Sequence, residues 1–328
     1  MPGVSGESRF RVNSLGVRGD EVTPGHAHRT LTLGASTTEC LYLDQEEAWP
    51  HLLQERLDES RPGERHWVGN GGMSGRTSRH HLTALEYLPL EEMEIDAVIV
   101  LMGANDLSKR LSRDHLYDPD FMLKPESREI LLAETFEGGN RPHPGDSFLK
   151  RTAIRRVLLK ARRRLSQMVS AGSVQDEAGE IYVKFRRHRQ SAAEMRDDLP
   201  DLSAALGEYS RNINRMIDVA SQRSVRLIFL TQPAMWRAGL PEELEALLWF
   251  GGVGAFQDEL GMPYYSAKTL AEGIDLYNAT LLEICRERGV DCLDLAAVLE
   301  KDTSVFYDDV HFNENGARQV AAAIAEFM

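Results

Sequence analysis

Short, continuous apolar runs recur along the chain and are separated by longer amphipathic stretches. The five runs cover residues 30–33, 66–68, 95–102, 225–230 and 290–295. Continuous rather than alternating apolarity is typical of strands buried on both faces, and strands that alternate with helices favour a parallel sheet with right-handed crossovers. The pattern therefore predicts an α/β protein, folded as a three-layer α/β/α sandwich.

The amphipathic stretches predict the helices that cover this sheet. They span residues 46–59, 78–88, 202–222, 266–288 and 313–327. In the last of them Val320, Ile324 and Phe327 recur at helical spacing, which gives the helix an apolar face that can dock on the sheet.

One crossover is far too long for a simple connection. More than a hundred residues separate the third and fourth predicted strands, so we interpret residues 107–200 as a mainly helical insertion within a single domain of residues 1–328. Insertions at the carboxyl edge of a sheet commonly bear on function, and we expect this one to act as a lid or cap.

The insertion contains an amphipathic helix pattern with a basic face. Residues 148–168 hold eight Lys or Arg and no acidic residue, with apolar residues at helical spacing. This basic face is either simply solvated, or attracts an anionic substrate or partner, or binds a membrane surface. The sequence leaves these three interpretations open.

Composition narrows the classes of function. The chain has 328 residues, 42% of them hydrophobic, which is enough for a sizeable core, and a net charge of −13 that opposes binding to nucleic acid. Three cysteines without a CxxC pair signal neither a disulfide framework nor a zinc site.

Neither a membrane span nor a signal peptide is evident, so the expected location is the cytoplasm, although an exported or anchored protein trimmed at its N-terminus would look the same. Nothing in the sequence indicates an oligomeric state.

Polar residues follow the predicted strands where each strand ends. Gly34-Ala35-Ser36 comes after the first strand, residues 68–78 (VGNGGMSGRTS) come after the second, and residues 102–107 (MGANDL) come after the third. A fourth polar stretch, residues 307–316 (YDDVHFNENG), precedes the last helix. Ligands bind at the carboxyl ends of strands in an open parallel sheet, so these stretches are expected to converge.

The four stretches supply the groups that acyl transfer requires. Ser36 offers a nucleophilic hydroxyl, His311 a base and Asp308 a carboxylate that orients the base. Gly75 offers an unobstructed backbone N–H and Asn105 an amide donor for a developing oxyanion. The residues therefore predict a serine hydrolase site.

These blocks resemble the SGNH hydrolases, also called the GDSL esterase/lipase family. The resemblance implies a flavodoxin-like, five-stranded parallel sheet, a catalytic triad of Ser36, Asp308 and His311, and an oxyanion hole formed by Ser36, Gly75 and Asn105. It also implies an acyl-enzyme intermediate, with no metal and no organic cofactor. Water would then hydrolyse this acyl-enzyme and release the carboxylic acid.

The match departs from the family pattern at one position, and rival motifs are incomplete. Ala35 stands where the GDSL motif has an aspartate, which is not a triad member. Arg76 replaces the final glycine of a GxSxG elbow, and the doublets His26-x-His28 and His80-His81 have no third metal ligand at familiar spacing.

Substrate identity is less well defined than the chemistry. Trp236, Tyr264 and Tyr265 follow the fourth strand and either stack on a sugar ring or pack beneath the insertion. We expect a small-acyl, carbohydrate or other polar ester as the substrate. A lipase-like esterase for longer chains, an acyltransferase with the same triad and a non-catalytic binding module are the alternatives.

Overall fold

A computed structural model describes residues 1–5, 8–137 and 173–328. The basic helix predicted over residues 148–168 lies outside the described residues.

The core of the molecule is a five-stranded, fully parallel sheet. Its strands, in chain order, are β1 (His28–Gly34), β2 (His66–Asn70), β3 (Ala97–Leu101), β5 (Arg226–Leu230) and β7 (Asp291–Leu293). Their spatial order is β2-β1-β3-β5-β7, with β1, β3 and β5 in the interior. Every residue of β2 and β3 is buried, as the continuous apolar runs predicted. Two further strands, β4 (Met195–Arg196) and β6 (Tyr264–Tyr265), pair with each other beside the main sheet.

Helices cover both faces of this sheet. They are α1 (Ser36–Glu39), α2 (Trp49–Ser60), α3 (Ser78–Tyr87), α4 (Ala104–Arg113), α5 (Pro125–Glu137), α6 (Ser173–Gln190), α7 (Ser203–Gln222), α8 (Glu242–Glu245), α9 (Ala267–Arg288), α10 (Leu295–Val298) and α11 (Glu314–Phe327). Short 3-10 turns lie at Gln45–Glu47, Asp114–Leu116 and Phe121–Leu123. Helices α3, α7 and α9 pack together in one layer, and α2 packs with α11 in another. The predicted three-layer α/β/α sandwich is therefore confirmed.

The five predicted helices are present, with small shifts at their ends. The largest shift is at α2, which begins at Trp49 rather than at residue 46 because a separate 3-10 turn, Gln45–Glu47, precedes it. Pro50 lies in the first turn of α2, where the missing N–H of proline costs no helical hydrogen bond.

The layer formed by α3 and α7 is joined by a buried ion pair. The guanidinium of Arg79 donates to both carboxylate oxygens of Glu208 at 2.6 and 2.7 Å, and the two side chains are only 5% and 3% exposed. The hydroxyl of Tyr117 donates to the same carboxylate at 2.6 Å. Each buried charge therefore depends on its partners for compensation.

Removing one member of this pair is expected to destabilise the fold. Glu208→Gln leaves the Arg79 guanidinium without its countercharge, and we expect a loss of roughly 3 kcal/mol in the free energy of unfolding. Urea denaturation would measure it. The double variant Arg79→Leu, Glu208→Leu is expected to lose less than Glu208→Gln alone, because no unpaired charge remains; a larger loss would contradict this account.

Candidate active site

Ser36 lies two residues after the end of the first strand and begins the short helix α1. Strand β1 stops at Gly34, where a Cβ would lie 3.1 Å from the carbonyl oxygen of Leu101 and would clash with the side chain of Thr38. Only glycine allows this close approach between the strand end and the short helix α1. The chain therefore turns sharply, and Ser36 is left half-buried at the sheet edge.

The structure brings Ser36, His311 and Asp308 into one hydrogen-bonded chain. The Nε2 atom of His311 lies 2.7 Å from Oγ of Ser36, and its Nδ1 atom lies 2.9 and 2.8 Å from Oδ1 and Oδ2 of Asp308. The backbone N–H groups of Val310 and His311 also donate to Oδ1, which folds the DDVH segment into a tight turn. Segments 275 residues apart in sequence thus meet at one edge of the sheet.

The Asp308 carboxylate is fully buried, yet its surroundings favour the ionised form. Burial alone would raise the pKa of Asp308, but the charge of His311 and the hydrogen bonds from that residue and from Val310 hold the pKa below its ordinary value. A carboxylate that is ionised near neutral pH can orient the imidazole and stabilise its protonated form.

Two of the three predicted oxyanion donors, Asn105 and Gly75, occupy neighbouring positions. Asn105 lies in the first turn of α4, and its Nδ2 donates to the carbonyl oxygen of Arg76 at 2.9 Å. Gly75 is exposed with φ of 78°, in the left-handed region, and no atom lies within 4 Å of where its Cβ would be. Ser36 and Asn105 line one small niche of about 10 Å³, and Gly75 and Asn105 line an adjoining groove of about 650 Å³.

Asp106 supports the segment that carries Gly75, and sequence reasoning did not identify it. Its carboxylate accepts hydrogen bonds from the backbone N–H of Ser78 at 3.0 and 3.1 Å and from Oγ of Ser78 at 2.5 Å. Burial raises the pKa of Asp106 to about 6, despite the opposing effect of the hydrogen bonds from Ser78. Its position directly after Asn105, in the stretch of residues 102–107 (MGANDL), is the sequence feature that could have identified it.

Three aromatic rings enclose the imidazole of His311. Tyr307 and Trp249 lie nearly parallel to it, each at 9°, with ring centroids 5.4 and 6.3 Å away. Tyr182, on α6, meets it edge-on at 5.6 Å. These neighbours come from three distant parts of the sequence, and none of them was predicted.

The family of the chain follows from a direct comparison. The GDSL-like Lipase/Acylhydrolase family matches residues 32–319, which is most of the chain and includes all four blocks. The chain belongs to the GDSL-like lipase/acylhydrolase family. The protein is accordingly an ester hydrolase with the α/β fold described above.

Solved structures with a similar course of the chain include several esterases. LAE5, an alpha/beta hydrolase enzyme from the metagenome of Lake Arreo, is 13% identical, with a TM-score of 0.47 over 92% of this chain and 95% of its own. Axe2, an acetylxylan esterase from Geobacillus stearothermophilus, is 13% identical, with a TM-score of 0.47 over 93% and 96%. EstA, a psychrotrophic esterase from Pseudoalteromonas sp., is 12% identical, with a TM-score of 0.42 over 91% and 95%. No curated protein matches the sequence significantly.

The three aromatic residues predicted either to stack on a sugar or to pack beneath the insertion lie in the interior of this GDSL-family protein. Trp236, Tyr264 and Tyr265 are 0%, 0% and 2% exposed. The indole N–H of Trp236 donates to Asp309, and the two tyrosines form β6. The structure thus brings none of the three to the surface, whereas Trp249, which lies beside the imidazole of His311, is half-buried.

The predicted doublet His26-x-His28 lies at the start of β1. His80 and His81 lie in α3, where His80 contacts Thr77 and Glu134.

Within residues 1–5, 8–137 and 173–328, one group has ligand atoms close enough for a metal, namely His28, Glu64 and His66, all within 4.8 Å of one another. His28 and His66 begin β1 and β2, at the opposite end of the sheet from Ser36. His28 pairs with Glu64 at 3.4 Å and packs against the ring of His66, so local contacts account for the group.

Among the helices of the described segments, none combines the length and apolarity needed to cross a membrane.

Proposed function

We propose that the protein hydrolyses carboxylic esters through an acyl-enzyme formed on Ser36. The observation that carries this proposal is the 2.7 Å contact between Nε2 of His311 and Oγ of Ser36. In the proposed cycle His311 takes the Ser36 proton as Oγ attacks the ester carbonyl, and then returns it to the departing alcohol. Water attacks the acyl-enzyme by the same route, and Asp308 holds the imidazole throughout.

We assign the developing oxyanion to the backbone N–H groups of Ser36 and Gly75 and to the Asn105 amide. An asparagine amide carries two N–H groups. One is donated to the carbonyl oxygen of Arg76, which fixes the orientation of the amide and leaves the second N–H for the substrate. Because Arg76 follows Gly75 directly, the same contact joins the two donor segments.

The assignment of Asn105 predicts a change in turnover rather than in binding. Asn105→Ala removes a donor that acts mainly in the transition state, so kcat is expected to fall roughly 100- to 1,000-fold with little change in KM. Steady-state kinetics on a chromogenic ester would measure both constants. Asn105→Asp, which keeps the shape but offers no N–H, should lose at least as much; a turnover number near that of the wild type in either variant would refute the assignment.

The shape of the site supports a short acyl group and a polar alcohol. The niche shared by Ser36 and Asn105 measures about 10 Å³, with Gln232 and Val310 also in its lining, and this small volume leaves little room for an alkyl chain. The adjoining groove of about 650 Å³ is lined largely by polar and charged residues, among them Lys109. We therefore propose acetate or a similarly small acyl group on a saccharide or other polar alcohol.

We also propose that the insertion over residues 107–200 covers the catalytic histidine. Its described helix α6 places Tyr182 5.6 Å from the ring of His311, and Phe185 on the same helix packs against Trp249. Burial raises the pKa of Tyr182, so the phenol stays neutral and acts here as an apolar cover.

The substrate proposal is tested by an ester panel. Wild type and Ser36→Ala would be assayed on p-nitrophenyl esters from acetate to dodecanoate and on acetylated saccharides, with and without a sugar acceptor. We expect kcat/KM to be highest for acetate and to fall with chain length. A preference for long chains would favour a lipase-like esterase, and products formed only with an acceptor would favour an acyltransferase; either result overturns the substrate proposal.

A further inference from the structure

The Asp308 carboxylate has a side-chain partner besides His311. Its Oδ2 atom lies 2.8 Å from Nδ1 of His311 and accepts a hydrogen bond from the indole Nε1 of Trp249 at 3.1 Å. Its Oδ1 atom accepts only from the turn that contains Val310 and His311. Among the described residues, Trp249 is therefore the single distant donor to this buried carboxylate.

The neighbouring carboxylate, Asp309, fixes the backbone of the same tryptophan. Oδ2 of Asp309 accepts from the backbone N–H of Trp249 at 2.7 Å, while its Oδ1 accepts from the indole of Trp236 at 2.8 Å. The carbonyl oxygen of Asp309 in turn accepts from the backbone N–H of Met235. Adjacent aspartates thus bind opposite ends of one residue: Asp309 binds the main chain of Trp249 and Asp308 binds its indole.

Helix α6 secures the segment that carries Trp249. Arg186 donates to the carbonyl oxygens of Leu247 at 3.1 Å and Tyr307 at 3.2 Å. Arg189 donates to the carbonyl oxygen of Phe250 at 2.6 Å. The residues on both sides of Trp249 are therefore tied to one helix, and that helix is also tied to the residue that precedes Asp308.

We propose that Trp249 is a positioning residue for ester hydrolysis, whose indole N–H fixes Oδ2 of Asp308 so that this carboxylate holds the tautomer and orientation of His311. This inference rests on the proposed function of Ser36, His311 and Asp308. The indole donor restrains rotation of the carboxylate and neutralises part of its charge. Without that donor, the carboxylate would hold the imidazole less firmly and would favour its protonated form more strongly.

Several other titratable groups lie around Asp308 and His311. Tyr42, Tyr182 and Tyr307 face this pair, and burial raises the pKa of each phenol, that of Tyr42 to about 12, so all three stay neutral. Burial, and then the charge of Asp308, raises the pKa of Asp309 to about 6, and the buried cation of Arg189 opposes that rise. Asp309 and Arg189 are present in the wild type and in a Trp249 variant, and the backbone N–H of residue 249 can donate to Asp309 in both.

The test is the pH dependence of Trp249→Phe, which keeps an aromatic ring but removes the indole N–H together with part of the ring system. We expect kcat to fall roughly tenfold with KM within about twofold, since hydrogen bonds to charged groups contribute about twice as much as neutral ones. We also expect the acidic limb of the kcat/KM profile, which reports the base of the free enzyme, to move to higher pH by about half a unit. Trp249→Leu, which also lacks a donor, serves as a second variant should Trp249→Phe fold poorly.

The matched control is Phe250→Leu, which loosens the same segment without removing a donor to Asp308. It should lower the thermal unfolding midpoint and leave the acidic limb in place. If Trp249→Phe and Phe250→Leu have the same pH profile, Trp249 has only a structural role and the inference is overturned. Activity near that of the wild type in Ser36→Ala would instead overturn the proposed function, so the two failures are distinguishable.

Discussion

Ser36→Ala is expected to lower kcat by at least about 10⁴-fold, because no other group replaces the nucleophile in the proposed cycle. The Oγ atom that the variant lacks is the atom 2.7 Å from Nε2 of His311. Loss of one half-buried hydroxyl should leave the fold intact, since Gly34 and the short helix α1 determine the turn. Activity on the preferred chromogenic ester, together with the circular dichroism spectrum, would measure both effects.

A nearby serine provides the control for this substitution. Ser74 is exposed and its Oγ donates to Glu39, whereas its backbone N–H makes a separate bond to the same carboxylate. Ser74→Ala should therefore keep the segment in place and retain activity within about threefold. A fluorophosphonate probe should label the wild type and Ser74→Ala but not Ser36→Ala; labelling of Ser36→Ala at full rate would show that another residue is the nucleophile.

The strands and the Ser36 site were accessible from the sequence because their signals are local. Strands β2 and β3 are buried on both faces, and such strands leave continuous apolar runs. Ser36 and Asn105 follow the ends of strands and the turn that contains Asp308 precedes the last helix. At such positions few residue types satisfy both the backbone and the chemistry. The family resemblance then supplied the pairing between blocks that lie far apart.

The surroundings of His311 were not accessible in the same way. Trp249 lies in a segment with no clear periodicity, and its contact with Asp308 joins residues 59 positions apart. Tyr182 lies on a helix whose docking depends on backbone carbonyls, which any sequence provides. An aromatic residue near a site can pack inward or face the substrate, and composition cannot distinguish these outcomes. Trp236 illustrates the difficulty, since its indole is fully buried.

Asp308→Asn is expected to reduce kcat by roughly 10³- to 10⁴-fold while leaving KM nearly unchanged. The carboxylate oxygens accept from Nδ1 of His311, from two backbone N–H groups and from the indole of Trp249. An amide in this position places an N–H group against at least one of those donors. If it faces Nδ1, it favours the imidazole tautomer whose Nε2 carries the proton, and that nitrogen can no longer accept the proton of Ser36.

The same substitution should have a pH-dependent effect on stability. The folded state holds the pKa of Asp308 below its ordinary value, so its ionisation stabilises the fold above about pH 3.9, the pKa of an unperturbed aspartate. That contribution is lost as the pH falls through the folded pKa. The difference in free energy of unfolding between wild type and Asp308→Asn should therefore shrink below about pH 4. The control for turnover is Asp302→Asn, on the loop before this segment, which should retain the kcat of the wild type. A constant difference from pH 7 down to pH 3, or a normal kcat in Asp308→Asn, would show that Asp308 does not hold the base through its charge.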